Sequence, residues 1–258
     1  MLSTPPHDVN RPLSWRGRSL GALTMRYAMA RWRDFGTEDR QFIQRLRRDG
    51  IDIATIWDIG ASNGAWSLMV GRHVPGVALH LFEPLIGFDK GYCDSVRYYL
   101  HRFDNWHLHR TALGAEDGEA EIFVPEMSYG STLLPSVYAR REWRALTVPM
   151  RRMDSIVESG EAPPPDLLKI DTQGYERVVL EGGASCLSSV KALILEAWLS
   201  RDYGEDTPLF GELADWLGER GFRAIEVAPG YRTPQGWMRS VDMYFVSEPV
   251  AATLGYYL

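Results

Sequence analysis

Trp57-Asp58-Ile59-Gly60-Ala61-Ser62-Asn63-Gly64-Ala65-Trp66 decides how this chain is read. The apolar run Thr55-Ile56-Trp57 has the character of a buried strand, and the run after Gly64 suits a helix. Two glycines between them let the backbone turn sharply and approach a ligand where a Cβ would collide. Glu83 follows Gly64 by 19 residues and closes a second apolar run, Val77-Ala78-Leu79-His80-Leu81-Phe82. A carboxylate at that place can accept two hydrogen bonds from a ribose diol. The spacing Asp-x-Gly-x-x-x-Gly differs from the Gly-x-Gly-x-x-Gly that seats a pyrophosphate. It favours a nucleoside without phosphates, such as S-adenosylmethionine. A glycine-rich turn alone is often only a turn. Strand, turn, helix and second-strand acid in order make it a binding site.

Working outward, residues 54–59, 78–82, 106–111, 121–124, 167–170, 192–196, 222–227 and 241–246 read as strands, most alternating with helical segments. Such alternation implies parallel βαβ units. The last two strands, joined by an aromatic-rich connection from Pro229 to Ser240, suggest an antiparallel pair at one sheet edge. Before Gly50, residues 20–32 and 38–48 read as amphipathic helices, the second with Thr37 as its cap and acids in its first turn. The chain divides into an N-terminal helical extension, 1–49, and an α/β domain, 50–258.

Composition narrows the function. A chain of 258 residues with net charge −6 is not built to coat nucleic acid. Its N-terminal part differs: ten arginines and no lysine lie between Arg11 and Arg48, against only Asp34, Glu38 and Asp39. That run is a solvated helical face or a contact for an anionic partner, such as a membrane surface or an anionic carrier. Only Cys93 and Cys186 are present, too few for a disulfide framework or a cysteine metal site. Pro5-Pro6 and Asp8 stand where a signal peptide would need an apolar core, and no uncharged apolar run approaches about 18 residues. The expected location is cytoplasmic.

A second constellation is Leu167-Leu168-Lys169-Ile170-Asp171-Thr172-Gln173-Gly174-Tyr175-Glu176. An apolar strand ends in Asp171, Gly174 permits a tight turn, and 175–181 suits a helix. Ligands of open parallel sheets bind outside the carboxyl ends of the strands. Asp58 to Gly60, Glu83, Asp171 and Glu196 all end strands there. A capping role would explain Asp171 alone, but not four strand ends in series.

These residues resemble the FkbM-type methyltransferases, a branch of the class I S-adenosylmethionine-dependent enzymes. The likeness rests on Asp58 to Gly64, Phe82-Glu83-Pro84, Ala112-Leu113-Gly114, Arg152-Met153-Asp154 and Leu168 to Glu176, and covers about residues 50 to 200. It implies that Asp58, Gly60, Ala61, Asn63 and Gly64 lie under the methionine and ribose parts of the cofactor. Glu83, next to Pro84, would hold the ribose hydroxyls, and Ala112-Leu113 would lie beside the adenine. Asp171 would sit near the transferable methyl, and a hydroxyl oxygen, often on a sugar or secondary metabolite, would receive it. The fold class is then a doubly wound, mainly parallel seven-stranded α/β sheet with an antiparallel edge strand.

An alcohol needs a base to become a nucleophile. Asp171 is the first candidate and Glu196 the second. Both acids are also possible ligands of a hard cation, but no local metal-loop pattern is present, so no metal is expected. Lys169, Arg151, Arg152 and Arg177 either orient an acidic substrate or are solvated. Trp143, Trp198, Tyr203, Tyr231 and Trp237 suit stacking on sugar CH groups or ordinary packing. Ser131-Thr132 lies on a loop, as an acceptor contact or a plain turn. Two other classes compete: an NAD-dependent Rossmann oxidoreductase, disfavoured by the glycine spacing and the missing Tyr-x-x-x-Lys, and a cofactor-binding partner subunit without turnover.

Overall fold

The computed structural model describes residues 36–88, 96, 100–125, 130–135 and 143–256. The helix expected at 20–32, the arginines before Asp34, and Cys93 lie outside the described residues. In chain order the elements are α1 (Thr37–Arg48), β1 (Thr55–Ile59), α2 (Ala65–His73), β2 (Ala78–Phe82), β3 (Trp106–His109), β4 (Ala112–Leu113), β5 (Gly118–Val124), β6 (Arg144–Arg151), α3 (Met153–Glu158), β7 (Leu167–Ile170), α4 (Glu176–Glu181), β8 (Ala192–Trp198), α5 (Phe210–Gly218), β9 (Phe222–Pro229), β10 (Ser240–Ser247) and α6 (Glu248–Thr253).

Seven strands form one sheet in the order β3-β2-β1-β7-β8-β10-β9, parallel except for β10. The antiparallel pair lies at the expected edge. Within it, β10 slots inside, between β8 and β9, and β9 is outermost. Winding reverses after β3, so β1 and β7 sit side by side at the switch. Their carboxyl ends carry the two motifs.

Alternation along these strands feeds two cores. Ile56, Leu167, Ile194 and Tyr244 pack with α1, α2 and α6 on one face. Trp57, Leu168, Leu193 and Phe245 pack with α3, α4 and α5 on the other. Residues 37–48, assigned by sequence to the extension, share the first core through Phe42, Ile43 and Leu46. The cap of α1 is Gly36, at φ 63°, and Thr37 is its first helical residue. No helix among the described residues is long and apolar enough to cross a membrane.

A second sheet, β4-β6-β5, was only partly foreseen: 121–124 was read as a strand, but β6 was not. Half of β6 is exposed, Val148 is its one buried residue, and Pro149 lies within the strand, opposite Glu119. Leu146, Val148 and Met150 alternate with exposed neighbours and pack against Ile122 and Val124, but the run is short and holds a proline. It gains its form from pairing, antiparallel to β5 and parallel to β4.

Candidate active site

The first turn is built around a buried ion pair. Asp58 and Lys169 are register partners on β1 and β7, pointing to the α2 face of the sheet. Asp58 is fully buried; it accepts a hydrogen bond from Ser67 Oγ of α2 at 2.8 Å. Its other oxygen lies 3.4 Å from Lys169 Nζ. The same ammonium reaches Asp171 Oδ2 at 3.3 Å. Burial would lower the Lys169 pKa, but Asp171 and Asp58 outweigh it and hold the ammonium charged above its ordinary range. Lys169 thus ties the two motifs together and is buried, not solvated.

Gly60 lies at that junction as well as lining the cavity beside it. It sits at φ 76°, and a Cβ there would stand 2.0 Å from the Asp171 carbonyl oxygen. Gly64, at φ 74°, caps α2, and Ser62 between them also has positive φ, 50°.

Glu83 follows β2 and is buried, each of its oxygens accepting a backbone N–H at 2.8 Å, from Ser62 and from Leu85. Burial raises its pKa to about 7 in spite of those two donors. The β1 turn and the acid after β2 are therefore locked to each other. Beside them is a cavity of about 290 Å³, lined by Gly60, Ala61, Asn63, Glu83, Pro84, Ala112 and Leu113 among the sequence candidates. Lys169, Asp171 and Gln173 line it as well, as do the apolar Leu85, Ile122 and Leu133. Asp58 and Gly64 do not line it; they underlie it. Glu196 also lies off the cavity.

Gln173 stands between the two candidate bases. Its Nε2 donates to Asp171 Oδ1 at 2.7 Å and to Glu196 Oε2 at 2.8 Å, while its Oε1 accepts from the Tyr203 hydroxyl. Ser240 Oγ donates to the other oxygen of Glu196 at 2.9 Å. Burial, then the nearby Asp171 and Glu176 carboxylates, push the Glu196 pKa well above the usual range. The loop after β7 is tied by Glu176, whose Oε1 accepts the N–H groups of Thr172 and Gly174 at 3.0 and 3.1 Å. Its Oε2 has no hydrogen-bond partner among the described residues. Burial brings the Glu176 pKa to about 7.

Two groups, Asp39 and Asp242, escaped the sequence reading as site residues, and Thr132 has a contact it did not foresee. Asp39, read only as a first-turn acid of α1, accepts from Trp66 Nε1 at 2.7 Å and from the Tyr244 hydroxyl at 2.6 Å. It thereby fixes Trp66, which lines the cavity. Asp242 is the cross-strand partner of Glu196, with its pKa pushed to about 7 by burial and by Asp39 and Asp171. Period-two spacing on β10 was its only signal. Thr132 donates from Oγ1 to the Gln173 carbonyl at 2.8 Å, so Ser131-Thr132 is more than a plain turn.

Other candidates lie elsewhere. Arg151 and Arg152 pair with Asp117, and Arg177 pairs with Glu181. Tyr231 and Trp237 are exposed on the β9–β10 connection, whereas Trp198 is buried edge-on to Tyr203. His80 stacks on His107 and His109 across β2 and β3. Among the described residues, no group of three or more His, Cys, Asp or Glu is placed to hold a metal ion.

Strand order, glycine turn after β1 and acid after β2 define a Rossmann-like methyltransferase. The chain belongs to the FkbM methyltransferase family, whose domain model matches residues 58–224, more than half of its length. A stretch of 68 residues is 37% identical to the hexuronic acid methyltransferase AglP of Haloferax volcanii, covering 26% of this chain and 28% of that protein. The FkbM methyltransferase of Methylobacillus flagellatus KT is similar at TM-score 0.46 and 17% identity, over 74% of this chain and 43% of that one. A 1,6-didemethyltoxoflavin-N1-methyltransferase of Burkholderia thailandensis, solved with S-adenosylhomocysteine, reaches TM-score 0.45 at 13% identity, over 94% and 93% of the two chains. This chain thus spans less than a third of the curated relative and less than half of the first structure. Family membership sets aside the oxidoreductase alternative. The cofactor is S-adenosylmethionine, and the cavity suits it: a buried carboxylate for a diol, and apolar Leu85, Ala112, Leu113 and Ile122 for a base.

Proposed function

We propose that this protein is an O-methyltransferase that moves the methyl group of S-adenosylmethionine to a hydroxyl of a saccharide or small metabolite. One observation carries this: the carboxylate of Asp171, 40% exposed, lines the same cavity as Glu83. An alcohol oxygen gains nucleophilicity as its proton leaves, so a fixed carboxylate at the cofactor is what O-methylation needs. The stretch shared with a protein named as a hexuronic acid methyltransferase supports a saccharide.

The cofactor supplies a methyl carbon already activated by a sulfonium charge. What remains for the protein is orientation and one proton. Glu83 holds the ribose hydroxyls, and Ala112 and Leu113 flank the base. Asp58 acts from below, through Ser67 and Lys169, and keeps the β1 turn in place. Asp171 takes the proton from the acceptor hydroxyl, with Lys169 and Gln173 fixing its two oxygens. Glu196, off the cavity, works through Gln173.

The test is incubation with methyl-labelled cofactor and a panel of hexuronates, neutral glycosides and phenols, followed by mass analysis and mild alkali. Alkali-stable label on oxygen is the expected product. Alkali-labile label would mean a carboxyl acceptor, and label on nitrogen or carbon would overturn the reading. Asp171→Ala should abolish transfer and spare S-adenosylhomocysteine binding by calorimetry; Glu83→Ala should weaken binding most.

A further inference from the structure

Gln173 ties the loop after β7 to the segment holding Thr132 and to the loop after β8. Its backbone is at φ 56°, in the left-handed region that non-glycine residues avoid. Such a conformation persists only where neighbours over-determine it. Here the neighbours can be named. Thr132, from the segment bridged to β5, donates to the Gln173 carbonyl. Tyr203, from the loop after β8, donates to Oε1, and its own N–H donates to Thr207 Oγ1. Glu196 of β8, anchored by Ser240 of β10, accepts one hydrogen of the amide. The second hydrogen goes to Asp171. Every polar atom of the side chain is used, and the amide cannot flip without turning a hydrogen-bond donor toward the Tyr203 hydroxyl and a carbonyl toward two carboxylates.

We infer that Gln173 is a positioning residue: its amide, clamped by Thr132, Tyr203 and Glu196, aims the carboxylate of Asp171 at the acceptor hydroxyl. The inference rests on Asp171 as the proton acceptor of the proposed reaction. Its physical content is a shared donor. Asp171 and Glu196 repel each other, and one NH₂ group binding both holds them at a fixed separation while leaving the second oxygen of Asp171 to Lys169. Glu196 and Tyr203 then act on the reaction only through Gln173, which explains why a buried carboxylate off the cavity is built into the site.

Gln173→Gly removes the amide and relaxes the backbone, so the variant folds. Methyl transfer to the best acceptor of the panel should fall at least about tenfold in kcat, with the KM for S-adenosylmethionine within about twofold. Tyr203→Phe should lower kcat in wild type and add nothing in the Gln173→Gly background, since it acts through that residue. Glu196→Gln can still offer an oxygen to Gln173 and an N–H to Ser240, and should recover most of what Glu196→Ala loses. An activity-independent readout is the carbon-13 carboxyl signal of Glu196. Its titration midpoint is set by burial, Asp171, Glu176 and Asp242, with Ser240 opposing them. Losing a donor to its carboxylate should move that midpoint up. Wild-type kcat in Gln173→Gly, with Asp171→Ala inactive, would overturn the positioning role alone. Activity retained in Asp171→Ala would overturn the Asp171 reading beneath it. Additive losses in the double variant would also end the inference, because Tyr203 would then act independently.

Discussion

Gly60 and Gly76 show how the same residue type carries different obligations. Both have positive φ, 76° and 85°, yet a Cβ at Gly76 meets nothing within 4 Å. Gly76→Ala should cost only the left-handed conformation, about 1–2 kcal/mol. Gly60→Ala adds a collision with the Asp171 carbonyl, which neither strand can yield without breaking the β1–β7 register. Thermal melts should show a much larger drop in Tm for Gly60→Ala. Glu83 makes a second prediction at this scale. With its pKa near 7, it loses its charge as pH falls through neutrality, and a neutral carboxyl is a poorer acceptor for a diol. Calorimetry should find S-adenosylhomocysteine binding weaker at pH 6 than at pH 8, and Glu83→Gln should flatten that dependence. An unchanged slope in the variant would place the titrating group elsewhere.

At the scale of elements, α1 is fastened to the sheet by a polar bolt as well as an apolar face. Asp39 is buried, and burial raises its pKa against the pull of Tyr244 and Trp66. Asp39→Ala would leave the Trp66 and Tyr244 donors unpaired, at about 1–3 kcal/mol each. Urea unfolding should register that loss, and cofactor affinity should fall too, because Trp66 lines the cavity. The β7–α4 loop carries the pH-sensitive counterpart. Glu176, ordinarily near 4.5, is held near 7. The folded state therefore binds an extra proton between those values, and its contribution is present below 4.5 and lost as pH rises through 7. Stability measured in denaturant should decline from pH 5 to pH 8. Glu176→Gln should remove its share of the slope.

For the whole molecule, the boundary between extension and catalytic domain becomes an experiment. Phe42, Ile43 and Leu46 are buried in the core that β1, β2 and β7 also line. Each such side chain contributes about 1.5–3 kcal/mol on burial, against a net stability of about 5–15 kcal/mol for a typical domain. A fragment beginning at residue 50 should lose cooperative unfolding, whereas one beginning at residue 36 should keep it. A cooperative transition in the shorter fragment would make α1 an appendage.

Sequence by itself determined that the main sheet is built of parallel βαβ units and which strand ends carry the two motifs. Gly60, Gly64, Glu83 and Asp171 carry local chemistry, and a glycine turn or a strand-ending acid is legible without knowing its neighbours. The apolar strands of the main sheet were legible for the same reason, since burial on both faces writes itself into composition. What only the tertiary structure decided was partnership. Lys169 reads on paper as a substrate contact or a solvated lysine and is a buried bridge in the fold, because a counter-charge comes from β1. Glu196, expected to end its strand like Asp171, lies inside β8, which runs on to Trp198, and Gln173 stands between it and the cavity. Asp39 and Thr132 matter through contacts to residues far along the chain. No local pattern encodes such pairings, because hydrogen bonds and charge neutralisation depend on which strands the topology sets side by side.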